Sequence, residues 1–147
     1  MIKEIHRIYI IDKDAKVFYL RENYIPGSDL TPVDHALLSR FVSALESFTT
    51  ELGEEKKKII NLGDEKFFVV KDKITAYRFI LCCDMNSKPK KMFKILNRIM
   101  NIFIAEFTGK FSASKDVKKK AMNSFVEEIN ELLTPRSTIQ GLFGTQQ

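Results

Sequence analysis

The stretch from Ile74 to Asp84, ITAYRFILCCD, constrains the fold more than any other part of the chain. Polar and apolar residues alternate in its first part, and its second part is almost wholly apolar. This pattern is typical of a strand in a sheet that is covered on both faces. We therefore predict an interior strand here. Cys82 and Cys83 follow one another on this strand, so their side chains point to opposite faces and a disulfide between them would be strained.

The segment from Pro89 to Phe111 predicts a long helix directly after this strand. Its apolar residues leave only a narrow polar stripe, which contains Lys94, Asn97 and Arg98. A helix with so narrow a polar stripe must pack on two sides. Ser87 and the proline at position 89 provide its start signal.

A second helical pattern begins at Ser114, with Asp116 in its first turn, and ends at Thr134-Pro135. Its predicted apolar stripe consists of Val117, Ala121, Phe125, Ile129 and Leu132. The remaining segment, 136–147, has no periodic pattern and is predicted to be a flexible tail.

An earlier helix is predicted from Thr31 to Leu52, because Thr31-Pro32 supplies an N-cap and a proline at the first helical position. Opposite its apolar stripe lie small, uncharged residues, where a solvent-facing side would normally carry Glu and Lys. We predict that this face binds a protein partner, with Arg40 and Glu46 at its rim; chance placement of tolerated small residues is the competing interpretation. The small residues are Ala36, Ser39, Ser43, Ser47 and Thr50.

Five β-branched or aromatic runs predict strands that are mostly joined by hairpins. They are Ile5 to Asp12, Ala15 to Arg21, Lys58 to Leu62, Lys66 to Lys71 and Ile74 to Asp84. Strands followed by helical patterns predict an α/β (α+β) domain, a three-layer α/β/α sandwich around a five-stranded antiparallel sheet.

The chain has 147 residues, which suits one domain. We expect this domain to span 1–133 and the tail to span 134–147. The 44% hydrophobic content, with 12 Phe, excludes the disordered and fibrous classes. No apolar segment resembles a signal peptide or a membrane span, so a soluble, cytoplasmic protein is expected, with peripheral membrane contact as an option.

Motifs that carry enzyme chemistry are missing from the sequence. It contains no Walker loop, no Gly-x-Ser-x-Gly, no His-Glu-x-x-His and no Rossmann fingerprint, so we expect neither a GTPase nor another enzyme, and no cofactor. His6 and His35 are interpreted as surface residues, since neither has an assignable partner. With only these two histidines and two adjacent cysteines, the usual ligand set of a structural zinc site cannot be assembled, and no metal is expected.

Basic residues are concentrated in the two C-terminal helical patterns. The chain has a net charge of +5, whereas the segment from Met85 to Lys120 alone carries ten Lys or Arg against two acids. Cations at a helix start oppose its dipole by about 0.3–1 kcal/mol each, and a bound anion would relieve this. We predict anion or membrane contact there, against solvated lysines as the other interpretation; the residues are Lys88, Lys90, Lys91, Lys118, Lys119 and Lys120. Antiparallel helices would place the two groups at opposite ends, so no nucleic acid is expected.

The order strand, strand, helix, three strands, helix, helix resembles the longin, or SNARE-like, domain of the roadblock/longin superfamily. The segments FVSALESFTTELG, IINLGDEKFFVVKD and FILCCDMNSKP carry the likeness, which covers Met1 to Leu133. The chain is similar to free-standing archaeal longin proteins and to the small TRAPP and adaptin subunits of vesicle trafficking. The resemblance implies one helix on one face of the sheet and two on the other.

The resemblance also implies a non-enzymatic module that forms a homodimer, or a heterodimer with another longin or roadblock protein, and serves Ras-like small GTPases or a trafficking complex. Roadblock relatives dimerise through the equivalents of the Thr31 to Leu52 helix and the Lys58 to Leu62 strand. Lysines at 56–58 argue against pairing at that edge. Two other classes stay open: an enzyme, which the missing motifs disfavour, and a small-molecule-sensing profilin- or PAS-like domain, whose cavity the dense Phe and Ile content disfavours.

Overall fold

A computed structural model of the chain describes residues 3–14, 16–22, 44 and 57–134, except for the side chain of Leu62. The chain divides into two compact units, which we describe in turn. Of the described residues, those within Glu4–Asn97 form the first unit, and Lys3 together with 98–134 forms the second.

The first unit contains a five-stranded sheet in which all neighbouring strands are antiparallel. The strand order is β2-β1-β5-β4-β3, so β5 lies at the centre and the predicted five-stranded antiparallel sheet is confirmed. The strands are β1 (Ile5–Ile11), β2 (Val17–Glu22), β3 (Lys57–Leu62), β4 (Glu65–Lys71) and β5 (Arg78–Asp84).

Strand β5 is buried on both sides, as its composition predicts. Leu81 lies opposite Ile8 of β1 and Phe68 of β4, and every residue from Arg78 to Cys83 is buried. A strand paired on both edges and covered on both faces has no position left for a solvent-facing side chain.

The predicted start of this strand at Ile74 is wrong. Ile74 is 94% exposed and lies in the turn before β5. Asp72 Oδ2 accepts hydrogen bonds from Thr75 N at 3.0 Å and from Thr75 Oγ1 at 2.6 Å, and Ala76 has a φ of 63°. These local bonds compete with the sheet ladder and hold residues 72–77 in a turn, although Ile74 and Thr75 have a strand-like composition.

The other turns follow the sequence signals. Asp12 Oδ1 accepts hydrogen bonds from the backbone N of Asp14 and Lys16, both at 2.9 Å, and closes the β1–β2 hairpin. Gly63, with a φ of 60°, lies in the turn between β3 and β4. A positive φ costs glycine little, which suits it to so short a connection.

The two faces of the sheet carry different sets of apolar residues. On one face, a buried cluster includes Tyr9, Ile11, Ile60, Phe67, Val69, Ile80 and Cys82. On the opposite face packs the start of helix α1 (Pro89–Phe107), whose residues up to Asn97 belong to this unit. The Phe93 ring meets Phe68 edge to face at 5.3 Å, and Met92 Sδ lies 3.6 Å from Cys83 Sγ. Cys82 and Cys83 therefore lie on opposite faces, as expected.

The second unit contains the rest of α1 and helix α2 (Lys115–Leu133). Phe125 of α2 is fully buried and meets Phe103 of α1 edge to face at 6.2 Å and Phe107 at 5.9 Å. Ser124 Oγ donates a hydrogen bond to Glu106 Oε2 at 2.7 Å. Aromatic packing and polar contacts at Glu106 thus join the two helices.

The ends of α2 agree with prediction, but two residues of its predicted stripe do not. Ser114 Oγ accepts from Val117 N at 3.4 Å, and Thr134 follows the last helical residue. Val117 is 41% exposed in the first turn, and Leu133 is buried in place of Leu132, which is half-buried. Adjacent helical positions differ by only about 100°, so a pair of leucines leaves the buried one undecided.

The placement of the helices on the two faces of the sheet and the domain boundary at residue 133 stay predictions. The predicted tail lies outside the described residues from 135 onward. In the part of the chain that the structure describes, no helix combines the length and the apolar character needed to cross a membrane.

Replacing Phe79 by Ala tests the central position of β5. Phe79 is 0% exposed, so the Phe79→Ala substitution should lower the free energy of unfolding by about 3–5 kcal/mol, the usual cost of emptying a buried phenylalanine site. The measurement is urea denaturation of both proteins. Ile74→Ala is the control, and its effect should stay within about 0.5 kcal/mol. Equal, small effects of both changes would contradict an interior β5.

Candidate functional site

The predicted partner-binding face lies outside the described residues. This applies to Ala36, Ser39, Arg40, Ser43, Ser47 and Thr50, and likewise to Glu46 and His35. Of the predicted helix only Ala44 is described, and it is helical and exposed. The interface on this helix therefore stays a prediction.

Strand β3, which the longin resemblance placed beside that face, is an edge strand. Among the described residues it pairs only with β4, and Ile59 is 40% exposed. Lys57, one of the lysines expected to discourage pairing, places its Nζ over the Phe93 ring, 5.6 Å from the centroid. Its ammonium group is thus engaged in a cation–π contact within the chain.

The six predicted anion-contacting lysines are all exposed. Lys88, Lys90 and Lys91 flank the start of α1, whose first turn contains no acidic residue. Lys91 Nζ lies 3.2 Å from Glu4 Oε2, so part of the charge at this helix start is balanced within the chain. The other three, Lys118, Lys119 and Lys120, lie near the start of α2, where Asp116 occupies the first turn. The two groups belong to different units, and each is a separate candidate.

A polar cluster that sequence reasoning missed lies at one end of the sheet; we call it the His6 cluster. It consists of His6, Arg7, Glu65, Cys82 and Asp84. His6 Nδ1 lies 2.8 Å from Glu65 Oε2, and His6 Nε2 lies 2.8 Å from Asp84 Oδ1. Cys82 Sγ donates to Glu65 Oε2 at 2.8 Å. Arg7 Nη2 donates to both Glu65 oxygens, at 3.0 and 3.1 Å. Glu65 is thus the centre of the cluster.

A β-bulge in β1 brings these residues together. Ile5 lies opposite Cys83 of β5, yet Arg7 lies opposite Cys82, so His6 is an extra residue without a counterpart in the ladder. Ile5 and Arg7 consequently face opposite sides of the sheet, although residues two apart normally share a side. Bulges commonly re-aim a side chain in this way, and here the result is that His6 and Arg7 both reach Glu65.

The protonation of the cluster follows from burial and from these contacts. Burial acts to raise the pKa of the Glu65 carboxyl, but hydrogen bonds from Cys82 and His6 and the charge of Arg7 outweigh it and hold the pKa below its ordinary value. Burial, reinforced by the hydrogen bond to Glu65, raises the pKa of the Cys82 thiol far above its ordinary value. The cluster therefore combines an ionised carboxylate with a protonated thiol.

The protonated thiol and the occupied carboxylate limit the chemistry that the cluster can support. The thiolate is the reactive form of cysteine, and both burial and the adjacent carboxylate oppose its formation at Cys82. The Glu65 carboxylate is occupied by Arg7, His6 and Cys82. Neither group is therefore poised as a nucleophile. However, His6 Nδ1, Cys82 Sγ and a Glu65 oxygen all lie within 4.8 Å of one another, which is a convergence of ligand-type atoms.

The expectation that His6 is a surface residue without a partner is wrong. Its side chain is 13% exposed and contacts two carboxylates. The physical reason is the bulge, because regular alternation along IHRIYII would place His6 and Arg7 on opposite sides of the sheet. The one available signal was that two charged or polar residues interrupt an otherwise apolar strand. The pairing register that unites them with Glu65 and Cys82 is not readable from composition.

Comparison with known proteins finds likeness in structure alone. No protein-family model matches the chain, and no curated protein does. Among solved structures, the gliding protein MglB from Thermus thermophilus is 13% identical with a TM-score of 0.43, covering 88% of this chain and 82% of that one. An MglB with a tetrameric arrangement is 14% identical, also at 0.43, covering 89% and 82%. Myxococcus xanthus MglB is 11% identical at 0.39, covering 89% and 81%.

The fold itself is defined by the strand order and pairing of this chain. A five-stranded antiparallel sheet joined to two C-terminal helices is what the longin resemblance implies. The predicted five-stranded antiparallel sheet and the two helices that follow it are thus confirmed in the described residues.

The two thiols should be unreactive in the folded protein. Cys82 and Cys83 are both buried, and burial together with the charges of Asp84 and Glu4 raises the pKa of Cys83 to about 12. We expect almost no reaction with a chromogenic disulfide reagent under native conditions, and two thiols per chain after denaturation in guanidinium. Rapid labelling of one native thiol would show an accessible, activated cysteine, and mass spectrometry of the labelled peptide would identify it.

Proposed function

We propose that this chain is a non-enzymatic interaction module of the longin type. It pairs with a second copy or with another longin or roadblock protein, and it serves as a platform or regulator for Ras-like small GTPases or for a trafficking complex. The observation that carries the proposal is the edge position of β3 among the described strands, together with the exposed side chain of Ile59 on that strand. The GTPase and trafficking roles come from the longin resemblance of the sequence.

The edge of β3 has the properties of a pairing surface. An edge strand presents backbone N–H and C=O groups along its outer side, and such groups readily pair with a strand from another chain. Ile59 adds exposed apolar area at mid-strand. The Lys57 ammonium group lies over the Phe93 ring in a cation–π contact. A two-fold arrangement would bring β3 of one copy against β3 of the next, which is a self-complementary contact of the kind common in homodimers.

The predicted helix from Thr31 to Leu52 contributes the second part of this surface. Its small residues lower the helix surface, so a partner can approach without desolvating charges. The longin resemblance links the same helix and strand in one interface. The proposed site of action is the cytoplasm, with the exposed lysines at the starts of α1 and α2 providing reversible contact with anionic membranes.

Charge on β3 should prevent dimer formation. Ile59→Lys places an ammonium group at the centre of the proposed interface, where burying it without a partner is costly, so the protein should shift towards monomer. Ser43→Arg tests the helix in the same way. The measurement is the mass in solution by sedimentation or light scattering, over a range of concentrations.

Ile74→Lys is the matched control, because it introduces the same charge at an exposed isoleucine in a turn. It should leave the oligomeric state unchanged. The same variants then enter pull-downs with small GTPases loaded with GDP or with a GTP analogue. A monomeric wild-type chain whose GTPase capture is indifferent to both interface changes would contradict the proposal.

Membrane contact through the lysines should depend steeply on salt. Each lysine near an anionic surface contributes about 1 kcal/mol, and the attraction decays within a Debye length. Sedimentation with liposomes that contain phosphatidylserine should therefore show binding at low salt that falls as salt rises. Lys88→Glu with Lys90→Glu should weaken it, and Lys118→Glu with Lys119→Glu tests the second group. Equal binding to neutral liposomes would contradict an electrostatic contact.

A further inference from the structure

We propose that His6, Glu65 and Cys82 form a binding site for a divalent metal ion of the zinc class, with Asp84 and Arg7 as outer partners that orient the ligands. This proposal is independent of the interaction module described above, because it concerns a side-chain cluster within the sheet and not the outer edge of β3. It also replaces the sequence-based expectation that the chain binds no metal.

The three ligand atoms have the right identity and converge on one point. Zn²⁺ prefers imidazole nitrogen, thiolate sulfur and carboxylate oxygen, at about 2.0–2.3 Å from each. In a tetrahedral site the ligand atoms are then roughly 3.3–3.8 Å apart. Here Nδ1 and Sγ each lie 2.8 Å from Glu65 Oε2, and the three lie within 4.8 Å of one another. A small outward shift of the Glu65 carboxylate would therefore open the site to a metal ion.

The orientation of His6 supports coordination through Nδ1. A carboxylate only accepts hydrogen bonds, so His6 Nε2, which lies 2.8 Å from Asp84 Oδ1, carries the proton of that bond. With a metal ion on Nδ1 this would become a carboxylate–histidine–metal arrangement, in which the outer carboxylate fixes the ring and makes the opposite nitrogen a better ligand. The 2.8 Å contact between Nδ1 and Glu65 Oε2 is a hydrogen bond, and a bound metal ion would take the place of its hydrogen.

Charge balance permits the exchange of protons for a metal. Metal ligands must be deprotonated, so binding would release the Cys82 thiol proton and the proton that lies between His6 and Glu65. Two protons leave and one dication enters, and the net charge of the cluster stays the same. A thiolate alone would be costly in this buried position, whereas a thiolate beside a dication is neutralised where it forms.

Arg7 supports the site from outside. Its guanidinium donates to Glu65 Oε1 at 3.0 Å and to Tyr9 Oη at 3.3 Å, which anchors it on two groups. Arg7 Nη2 also lies 3.1 Å from Glu65 Oε2, the oxygen that His6 and Cys82 contact, so the guanidinium fixes the orientation of the whole carboxylate. The bulge at His6 completes the set, because regular pairing would not bring His6 and Arg7 to the same carboxylate. Three protein ligands leave the fourth position of the metal for water.

The test is metal binding by the full chain after treatment with a chelator. Equilibrium dialysis against Zn²⁺ with metal analysis should give one ion per chain. Co²⁺ serves as the spectroscopic probe, and the thiolate should produce a sulfur-to-cobalt charge-transfer band in the near ultraviolet. Zn²⁺ should also raise the melting temperature, since an ion that binds only the folded state stabilises it.

Ligand variants and matched controls make the assignment specific. Cys82→Ser and His6→Gln should each weaken Zn²⁺ binding by at least about tenfold and abolish or distort the Co²⁺ band. Asp84→Asn should weaken binding by about 10–100-fold, the usual effect of removing an outer partner. Cys83→Ser changes an equally buried cysteine on the opposite face, and His35→Gln changes the only other histidine; both should bind as the wild type does.

Three results would overturn the site: no saturable Zn²⁺ binding, Co²⁺ binding without a charge-transfer band, or equal loss in Cys83→Ser and Cys82→Ser. Circular dichroism identifies any variant that fails to fold. Cys82→Ser retains the volume and a hydroxyl that can donate to Glu65, so it should fold. If it does not, His6→Gln decides, because His6 lies at the partly exposed margin of the cluster.

Discussion

Strand β5 is the constraint on which the described sheet depends. It pairs with β1 on one side and β4 on the other, and its buried residues contribute to both faces. Each neighbour must match its register, because a slip of one residue would exchange the side chains that face the two sides. The apolar set around Tyr9 and Ile80 and the contacts of Phe68 and Cys83 with α1 are consequences of that register. A single strand thus determines how two different faces are composed.

Much of this architecture was predictable from the sequence, since it depends on local pattern. Apolar runs identified the five strands, and Ser114 and Thr134 marked the ends of α2. One error arose where a side chain overrode the pattern, because Asp72 holds Ile74 in a turn despite its β-branched character. Another arose where the pattern was ambiguous, because Leu132 and Leu133 are adjacent and the buried one is Leu133.

The candidate sites were less predictable, for a physical reason. The exposure of the lysines follows from their type, and the edge position of β3 followed from a family resemblance. The His6 cluster unites residues 6–7, 65 and 82–84, which only pairing between strands brings together. Its formation further requires a bulge, and nothing in the composition of β1 distinguishes a bulged strand from a regular one. Sequence reasoning therefore placed His6 at the surface.

The bulge in β1 also divides the strand into two parts, and the side chains of the two parts alternate independently between the faces of the sheet. From Arg7 to Ile11 the strand follows one alternation, whereas Ile5 follows the opposite one, and His6 absorbs the difference. A deletion of residue 6 would leave the pairing of Ile8 and Ile10 with β5 in place while removing the histidine. A change of one residue in the length of β1 at this position can therefore add or remove the His6 cluster, whereas it cannot add or remove the apolar core. Removal of residue 6 is consequently expected to act on the chemistry of the chain before it acts on its fold, whereas a change of length between Arg7 and Ile11 would shift the register with β5.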